Sequence, residues 1–95
     1  MSRIGRFAKD EGDTKRYVVD YIDWLDTDEV ITAVDIQGTV PTDNFFIEWM
    51  EVETDGKQII YYVSGGLAEK EYNATITVTT SWSQVKEDWI THVVT

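Results

Sequence analysis

The sequence predicts an all-β fold, and three observations support this prediction. Short runs of β-branched and aromatic residues recur along the chain, separated by turn residues about every 8–12 positions. One run alternates strictly between apolar and polar residues, the period of a strand with one buried face. The single proline and the six glycines fall between the apolar runs. Since 95 residues suffice for one hydrophobic core, we expect one sandwich or barrel domain.

The first two predicted strands lie within residues 15–25 and 29–36. In the first, Tyr17, Val19 and Tyr21 share one face, and acidic turn residues follow. The second is rich in valine and isoleucine, and its pattern leaves the inward face open. The proline at position 41 and the polar residues around it end this second run.

The third predicted strand, residues 45–53, changes faces part-way along. Phe45, Ile47 and Trp49 share one face, whereas the next apolar residue, Met50, falls on the other. A β-bulge inserts one residue into a strand and switches the faces in this way. The sequence therefore predicts a bulge near Trp49.

Glycine-containing turns bound the fourth predicted strand. The Asp-Gly pair at 55–56 is typical of a tight hairpin and leads into residues 57–63, which are apolar on both faces. The Ser-Gly-Gly sequence at 64–66 ends this run with residues suited to positive φ. These signals predict a hairpin between the third and fourth strands.

The last two strands are predicted over residues 72–79 and 85–94. The first of them is the strictly alternating run, and the second is expected to turn Ile90 and Val94 inward. Residues 83–92 also fit a helical period, but their β-branched content favours a strand. Six or seven antiparallel strands without a convincing helix predict an immunoglobulin-like sandwich from residue 14 to the end.

The basic residues are concentrated near the N-terminus. Residues 1–16 hold five of the eight basic residues against three acidic ones, whereas the remainder holds three against fifteen. We expect residues 1–13 to form a flexible N-terminal arm. In one interpretation the arm is simply solvated. In the other, Arg3, Ile4 and Phe7 dock on an acidic neighbouring subunit.

Composition limits the possible partners and compartments. A net charge of −10 argues against binding nucleic acid or an anionic membrane, because both repel an acidic surface. The absence of cysteine fits synthesis in a reducing compartment. No secretion signal is evident, and no run approaches the roughly 20 apolar residues that span a bilayer. We therefore expect a soluble protein made in a cytoplasm.

The sequence offers no recognisable catalytic machinery. His92 is the only histidine, and no serine lies in a nucleophile-elbow pattern, so we predict no enzyme, no catalytic residue and no cofactor. The Ser-Gly-Gly sequence lacks the lysine and helix of a phosphate-binding loop. An acidic cluster is interpreted as a solvated rim, with Ca²⁺ binding as the alternative; its members are Asp20, Asp23, Asp26, Asp28 and Glu29.

The aromatic content points to recognition. Four Trp, five Tyr and three Phe exceed what a domain of this size can bury completely. Trp82 stands between polar residues in a predicted turn, and Trp49 or Trp89 could face outward. Exposed aromatic side chains are typical anchors of protein interfaces, although they also stack on sugars. We predict that residues at these three positions, and Arg3, Ile4 and Phe7 in the arm, dock a partner protein.

Several segments resemble a known family. They are Tyr17-Val-Val-Asp20-Tyr21 with Trp24-Leu25, Asp28-Glu-Val-Ile31-Thr32, Val63-Ser64-Gly65-Gly66, Tyr72, and Ile76-Thr77-Val78-Thr79-Thr80. In order and spacing over roughly residues 14–94, they resemble small immunoglobulin-like virion proteins of tailed phages, described as fiber–tail adaptors or neck and tail accessory proteins. The resemblance implies a non-enzymatic adaptor that contacts tail, neck or fiber proteins, with several copies in a ring. It also implies a virion component assembled in the bacterial host cytoplasm.

Two other functions stay open at this point. A module that recognises host-surface glycan would need an exposed aromatic shelf. An acidic DNA mimic would need carboxylates at phosphate-like spacing, whereas many here cluster in predicted loops.

Overall fold

A computed structural model describes residues 3–38 and 44–95 of the chain. They form seven strands: β1 (Arg3–Lys9), β2 (Lys15–Asp20), β3 (Ile31–Gly38), β4 (Phe46–Val52), β5 (Gln58–Ser64), β6 (Glu71–Thr80) and β7 (Val85–Val94). The described ranges contain no helix, and so none long and apolar enough to cross a membrane. The proline expected to end the second strand lies outside them.

The strands form two sheets that enclose the core. One sheet has four strands in the order β1-β7-β6-β3, and the other has three in the order β2-β5-β4. The apolar sides of both sheets face each other, as alternating strands require. The predicted all-β sandwich is confirmed, while the finer immunoglobulin-like assignment stays a prediction.

The N-terminal segment corrects two expectations. Residues 3–9, expected to belong to a flexible arm, form β1 and pair with β7 from Arg3 to Lys9. The pairing is parallel, so the strands are not all antiparallel. Thr95 continues the connection by donating its backbone N–H to the carbonyl oxygen of Lys9 at 2.8 Å. In this arrangement β1 is an edge strand of the four-stranded sheet.

The core follows the predicted alternation. In β6 every second residue is buried, beginning with Tyr72 and including Ala74, Ile76 and Val78. In the central strand β5, Ile59, Tyr61 and Val63 are fully buried on the core face, and Ile60 is buried on the other face. Residues 85–94 are a strand with Ile90 and Val94 inward, which excludes the helical alternative.

The predicted bulge in the third run is confirmed. The register between β4 and β5 shifts between Ile47 and Trp49. As a result Met50 returns to the core side, whereas the Trp49 side chain is 52% exposed. The predicted hairpin after it is also present, with Gly56 at a φ of 72°.

The Ser-Gly-Gly turn has a steric reason. Gly65 and Gly66 adopt φ values of 77° and 87°, which side chains rarely permit. A Cβ atom on Gly65 would lie 1.7 Å from the carbonyl oxygen of Asn44. The chain can therefore pass this close only because residue 65 has no side chain.

Lys9 is a buried cation at the end of β1. Its side chain is 1% exposed, and its ammonium donates to the carbonyl oxygens of Asp10 at 2.7 Å and Asp13 at 2.6 Å. These bonds fold the loop between β1 and β2 back over the lysine. Burial of a charge is stabilised when the surrounding acceptors replace water in this way.

Glu29 differs from the solvated acidic rim that was expected. Its side chain is buried, with hydrogen bonds from the Thr80 hydroxyl, from Gln84 Nε2 at 2.9 Å and from the Asp26 backbone N–H at 3.1 Å. The Thr80 bond is the main reason that the pKa of Glu29 lies below its usual value, against the opposing effect of burial. The other four members of the cluster are exposed: Asp20, Asp23, Asp26 and Asp28.

Candidate partner-docking groove

A groove opens between the two sheets at the edge formed by β1 and β2. Its volume is about 330 Å³, and we call it the edge groove. Its lining consists of Ile4, Phe7, Val18, Val19, Asp20, Tyr21, Asp23, Trp24, Lys86, Asp88 and Ile90. The groove exists because β1 and β2 belong to different sheets and do not pair with each other.

The walls of the edge groove are apolar. Ile4 and Phe7 project from β1 and are 40% and 41% exposed, and Val18 on β2 is 41% exposed. The Phe7 ring is held by the Tyr17 ring, with 5.6 Å between their centroids. Such exposed apolar side chains around a concavity are suited to covering by another protein.

Polar groups lie deeper in the edge groove. Asp88 on β7 is 1% exposed, and its Oδ2 lies 3.5 Å from the ammonium of Lys86. The same ammonium lies 5.6 Å from the ring centroid of Trp24, a cation–π contact. The lysine therefore connects the acidic interior of the groove with its aromatic wall.

Tyr21 has a buried hydroxyl in the edge groove. Its side chain is 4% exposed, and among the described residues its hydroxyl has no hydrogen-bond partner. Burial, and then the negative charge of Asp88, raise the pKa of Tyr21 far above its usual value. The hydroxyl stays protonated at neutral pH and can either donate or accept a hydrogen bond.

In a comparison with protein families, residues 9–92 match the family described as Podophage GP4 fiber-tail adaptor protein gp77. The matched region covers most of the chain, from the end of β1 into β7. The chain belongs to this fiber–tail adaptor family. Comparison with curated proteins gives no match. Ile4 and Phe7, which form the β1 wall of the edge groove, precede the matched region of this adaptor-family chain.

The residues predicted to dock a partner fall into four places on this adaptor-family chain. Ile4 and Phe7 come together in the edge groove. Arg3 is exposed and lies beside Trp89, its Cα partner on β7, whose side chain is half-buried. The structure brings neither of the other two tryptophans to the groove, and the docking role of all six residues stays a prediction.

Those two tryptophans are exposed elsewhere. Trp49 lies on β4, the strand at the opposite edge of the three-stranded sheet from β2, and its ring centroid is 5.7 Å from that of Tyr62. Trp82 lies in the turn between β6 and β7 and is 54% exposed. The surface thus carries separate aromatic positions rather than one continuous patch.

His92 lies in the core rather than at a site. Its side chain is fully buried, and its Nε2 lies 2.8 Å from the Tyr61 hydroxyl. Burial first, and then the positive charge of Lys9, lower the pKa of His92 to about 4. The imidazole is therefore neutral at physiological pH. Within residues 3–38 and 44–95, no three His, Asp or Glu side chains are grouped so that they could hold a metal ion.

Sequence reasoning did not identify the polar interior of the edge groove. Asp88 and His92 share the face of β7 that carries Ile90 and Val94, so a strict two-residue period would have placed both inward. Polar side chains are usually exposed, so their residue types alone do not indicate burial. No local signal indicated that the Tyr21 hydroxyl would lack a partner.

Proposed function

We propose that this protein is a non-enzymatic structural adaptor of a podophage particle that links the tail or neck to fiber or neighbouring virion proteins. Membership of a fiber–tail adaptor family over residues 9–92 supports an adaptor role and a virion setting. The observation that carries the proposal in the structure is the edge groove, a concavity with apolar walls between two strands at the edges of their sheets.

An adaptor has to contact two proteins at once, and the positions of the exposed apolar side chains suit this task. The edge groove lies beside β2, whereas Trp49 lies on β4 across the same sheet. Two partners could therefore bind without competing for one surface. Aromatic anchors of this kind contribute disproportionately to binding free energy.

The core chemistry supports a non-enzymatic role. The single histidine is buried beneath aromatic rings and is held neutral, out of reach of a substrate. The buried Glu29 carboxylate is engaged by three hydrogen bonds that fix a loop to the β6–β7 turn. The histidine and the glutamate therefore stabilise the fold.

We also propose that several copies of this protein assemble into a ring in the particle. A ring of identical subunits requires two different faces on each copy. The exposed Arg3 beside Trp89 lies on the opposite side of the four-stranded sheet from its core face, and is a second candidate contact. Assembly in the host cytoplasm is consistent with a chain that contains no cysteine.

Mass spectrometry of purified particles, and of tails dissociated from them, tests the proposal. We expect the chain to be present in both at a copy number that matches a ring. A particle lacking the gene product should be free of attached fibers and should regain them when purified protein is added. Absence of the chain from intact particles would contradict the adaptor function.

A further inference from the structure

We propose that the edge groove binds an extended segment of another virion protein in which an apolar side chain stands next to a lysine or arginine. The inference rests on the proposed adaptor function and names the chemistry of one partner. Four features of the described residues support it, and they concern shape, charge, hydrogen bonding and strand edges.

The shape of the groove selects a side chain. The volume of about 330 Å³ lies between apolar walls contributed by Ile4, Phe7 and Val18, each exposed by about two-fifths. A concavity of this size admits one or two side chains of a segment rather than a folded domain. Covering these walls would remove apolar surface from water, which favours binding.

The charge of the groove selects a cation beside that side chain. Asp20 and Asp23 are exposed at the groove, and Asp88 lies inside it, against the single ammonium of Lys86. Three carboxylates and one ammonium leave an excess of negative charge. A lysine or arginine of the partner would complement this excess, whereas an acidic segment would be repelled.

The Tyr21 hydroxyl supplies a hydrogen bond. It is buried, it lines the groove, and no described residue provides it with a partner. Leaving such a group unpaired costs free energy. A backbone carbonyl or N–H of the bound segment would satisfy it, since a hydroxyl can act as donor or acceptor.

Two strand edges favour an extended conformation of the segment. Among the described strands β1 pairs only with β7, and β2 pairs only with β5, so each presents an unpaired edge next to the groove. An extended segment can add to such an edge through backbone hydrogen bonds while its side chains enter a neighbouring pocket.

A second copy of this chain is a poorer occupant. Its own pairs of a basic and an adjoining apolar residue lie in strands that are already paired in their own sheets, including Arg3-Ile4 and Arg6-Phe7 in β1, Arg16-Tyr17 in β2 and Val85-Lys86 in β7. These residues would have to leave their own sheet before they could enter another copy. The geometry therefore points to a different protein.

Photo-crosslinking in assembled particles tests the occupant. The photoreactive residue p-benzoylphenylalanine would replace Val18 in the groove and, as a matched control, Thr77 on the outer face of the four-stranded sheet. We expect the residue-18 crosslink to map to a tail, neck or fiber peptide with an apolar residue next to lysine or arginine, and the control not to label that peptide.

Three outcomes would overturn the proposal while the adaptor function stands. They are crosslinks only to a second copy, crosslinks only to segments without such a residue pair, and no residue-18 crosslink although the protein is present in the particles. Absence of the protein from particles would instead contradict the adaptor function itself, so the two failures are distinguishable.

A pair of tyrosine variants tests the hydroxyl, with a synthetic peptide of the crosslinked segment as the probe and the full chain as the receptor. We expect Tyr21→Phe to bind about 3- to 10-fold more weakly, with no loss in thermal unfolding midpoint, because its hydroxyl makes no bond in the free protein. Tyr72→Phe is the control: its hydroxyl accepts the Leu67 backbone N–H at 2.9 Å, so it should lower the midpoint and leave binding unchanged. Unchanged binding by Tyr21→Phe would contradict the assigned hydrogen bond.

A pair of aspartate variants tests the charge. Asp23→Asn should weaken binding of the same peptide about 2- to 5-fold at low salt, and the difference should shrink as salt is added. Asp28→Asn removes an exposed charge outside the groove lining and should leave binding unchanged. Equal effects of both variants would show that only overall charge matters and would overturn the groove assignment.

Discussion

The Tyr61 hydroxyl and the His92 imidazole meet in the centre of the sandwich, with 2.8 Å between the hydroxyl oxygen and Nε2. Both side chains are fully buried, and the Tyr17 ring covers the imidazole with a centroid distance of 4.6 Å. A charged imidazole in this setting would lose its hydration without gaining an anion. The protonation state of one core residue is therefore linked to the stability of the whole domain.

Stability should fall as the pH is lowered from about 6.5 towards 4. The unfolded chain binds a proton at His92 near its usual pKa of 6.5, whereas the folded chain resists protonation until about pH 4. The contribution of His92 to the free energy of unfolding should therefore be constant above pH 6.5. Within this window it should decrease by up to about 1.4 kcal/mol per pH unit.

Urea unfolding at a series of pH values measures this dependence. His92→Gln should flatten the curve between pH 4 and 6.5, although the variant is less stable throughout. A wild-type curve that is already flat in this window would show that the imidazole is not held neutral. Loss of stability at still lower pH would report Glu29, whose folded pKa lies below its usual 4.5.

Replacement of Lys9 should raise the pKa of His92. The positive charge of Lys9 is the second cause of the lowered pKa, after burial. In Lys9→Met the pKa should rise from about 4 but should stay below 6.5, because the imidazole is still buried. NMR titration of the imidazole measures it directly. Lys15→Met, which removes an exposed lysine on β2, should leave the pKa unchanged; an equal rise in both variants would contradict the local effect.

Gly65→Ala should be strongly destabilising. The residue has a φ of 77°, and a Cβ atom would collide with the Asn44 carbonyl, so the turn must move. We expect a loss of about 2–3 kcal/mol in the free energy of unfolding, measured in urea. Gly12→Ala serves as the control because a Cβ there meets nothing within 4 Å, and its effect should stay within about 0.5 kcal/mol.

Trp49→Thr should impair assembly into particles without unfolding the domain. The Trp49 ring is half exposed and contacts Tyr62 across the strands, a pair that contributes no more than about 1 kcal/mol. The isolated domain should therefore stay folded by circular dichroism while its copy number in particles decreases. Glu51→Thr, on the same strand, should fold and assemble normally. Normal incorporation of the Trp49 variant into particles would show that Trp49 is not part of the docking surface.

Much of the sandwich was predictable because its strands carry local patterns. The alternation of β6, the bulge near Trp49 and the Asp-Gly hairpin were all recognised from neighbouring residues. The pairing of β1 with β7 was not, because it joins opposite ends of the chain and is parallel. Its apolar residues, Ile4 and Phe7, are also three positions apart and do not alternate as strand residues normally do.

The edge groove was only half predictable for a related reason. Ile4 and Phe7 were recognised as apolar anchors in a basic segment, but their position opposite Tyr21 and Asp88 depends on how the sheets pack. Glu29 was placed on a solvated rim because acidic residues surround it. Its burial depends on Thr80 and Gln84, which are more than fifty residues away in the sequence.

The parallel pairing of the terminal strands has a mechanical consequence. A pull on the N-terminus acts at the Arg3 end of β1, whereas a pull on the C-terminus acts at the Val94 end of β7, next to Lys9. The two strands would then be sheared past each other, and their hydrogen bonds would share the load instead of breaking one after another. Force applied between the two termini would therefore pass along this pair of strands while the rest of the sandwich stays unloaded.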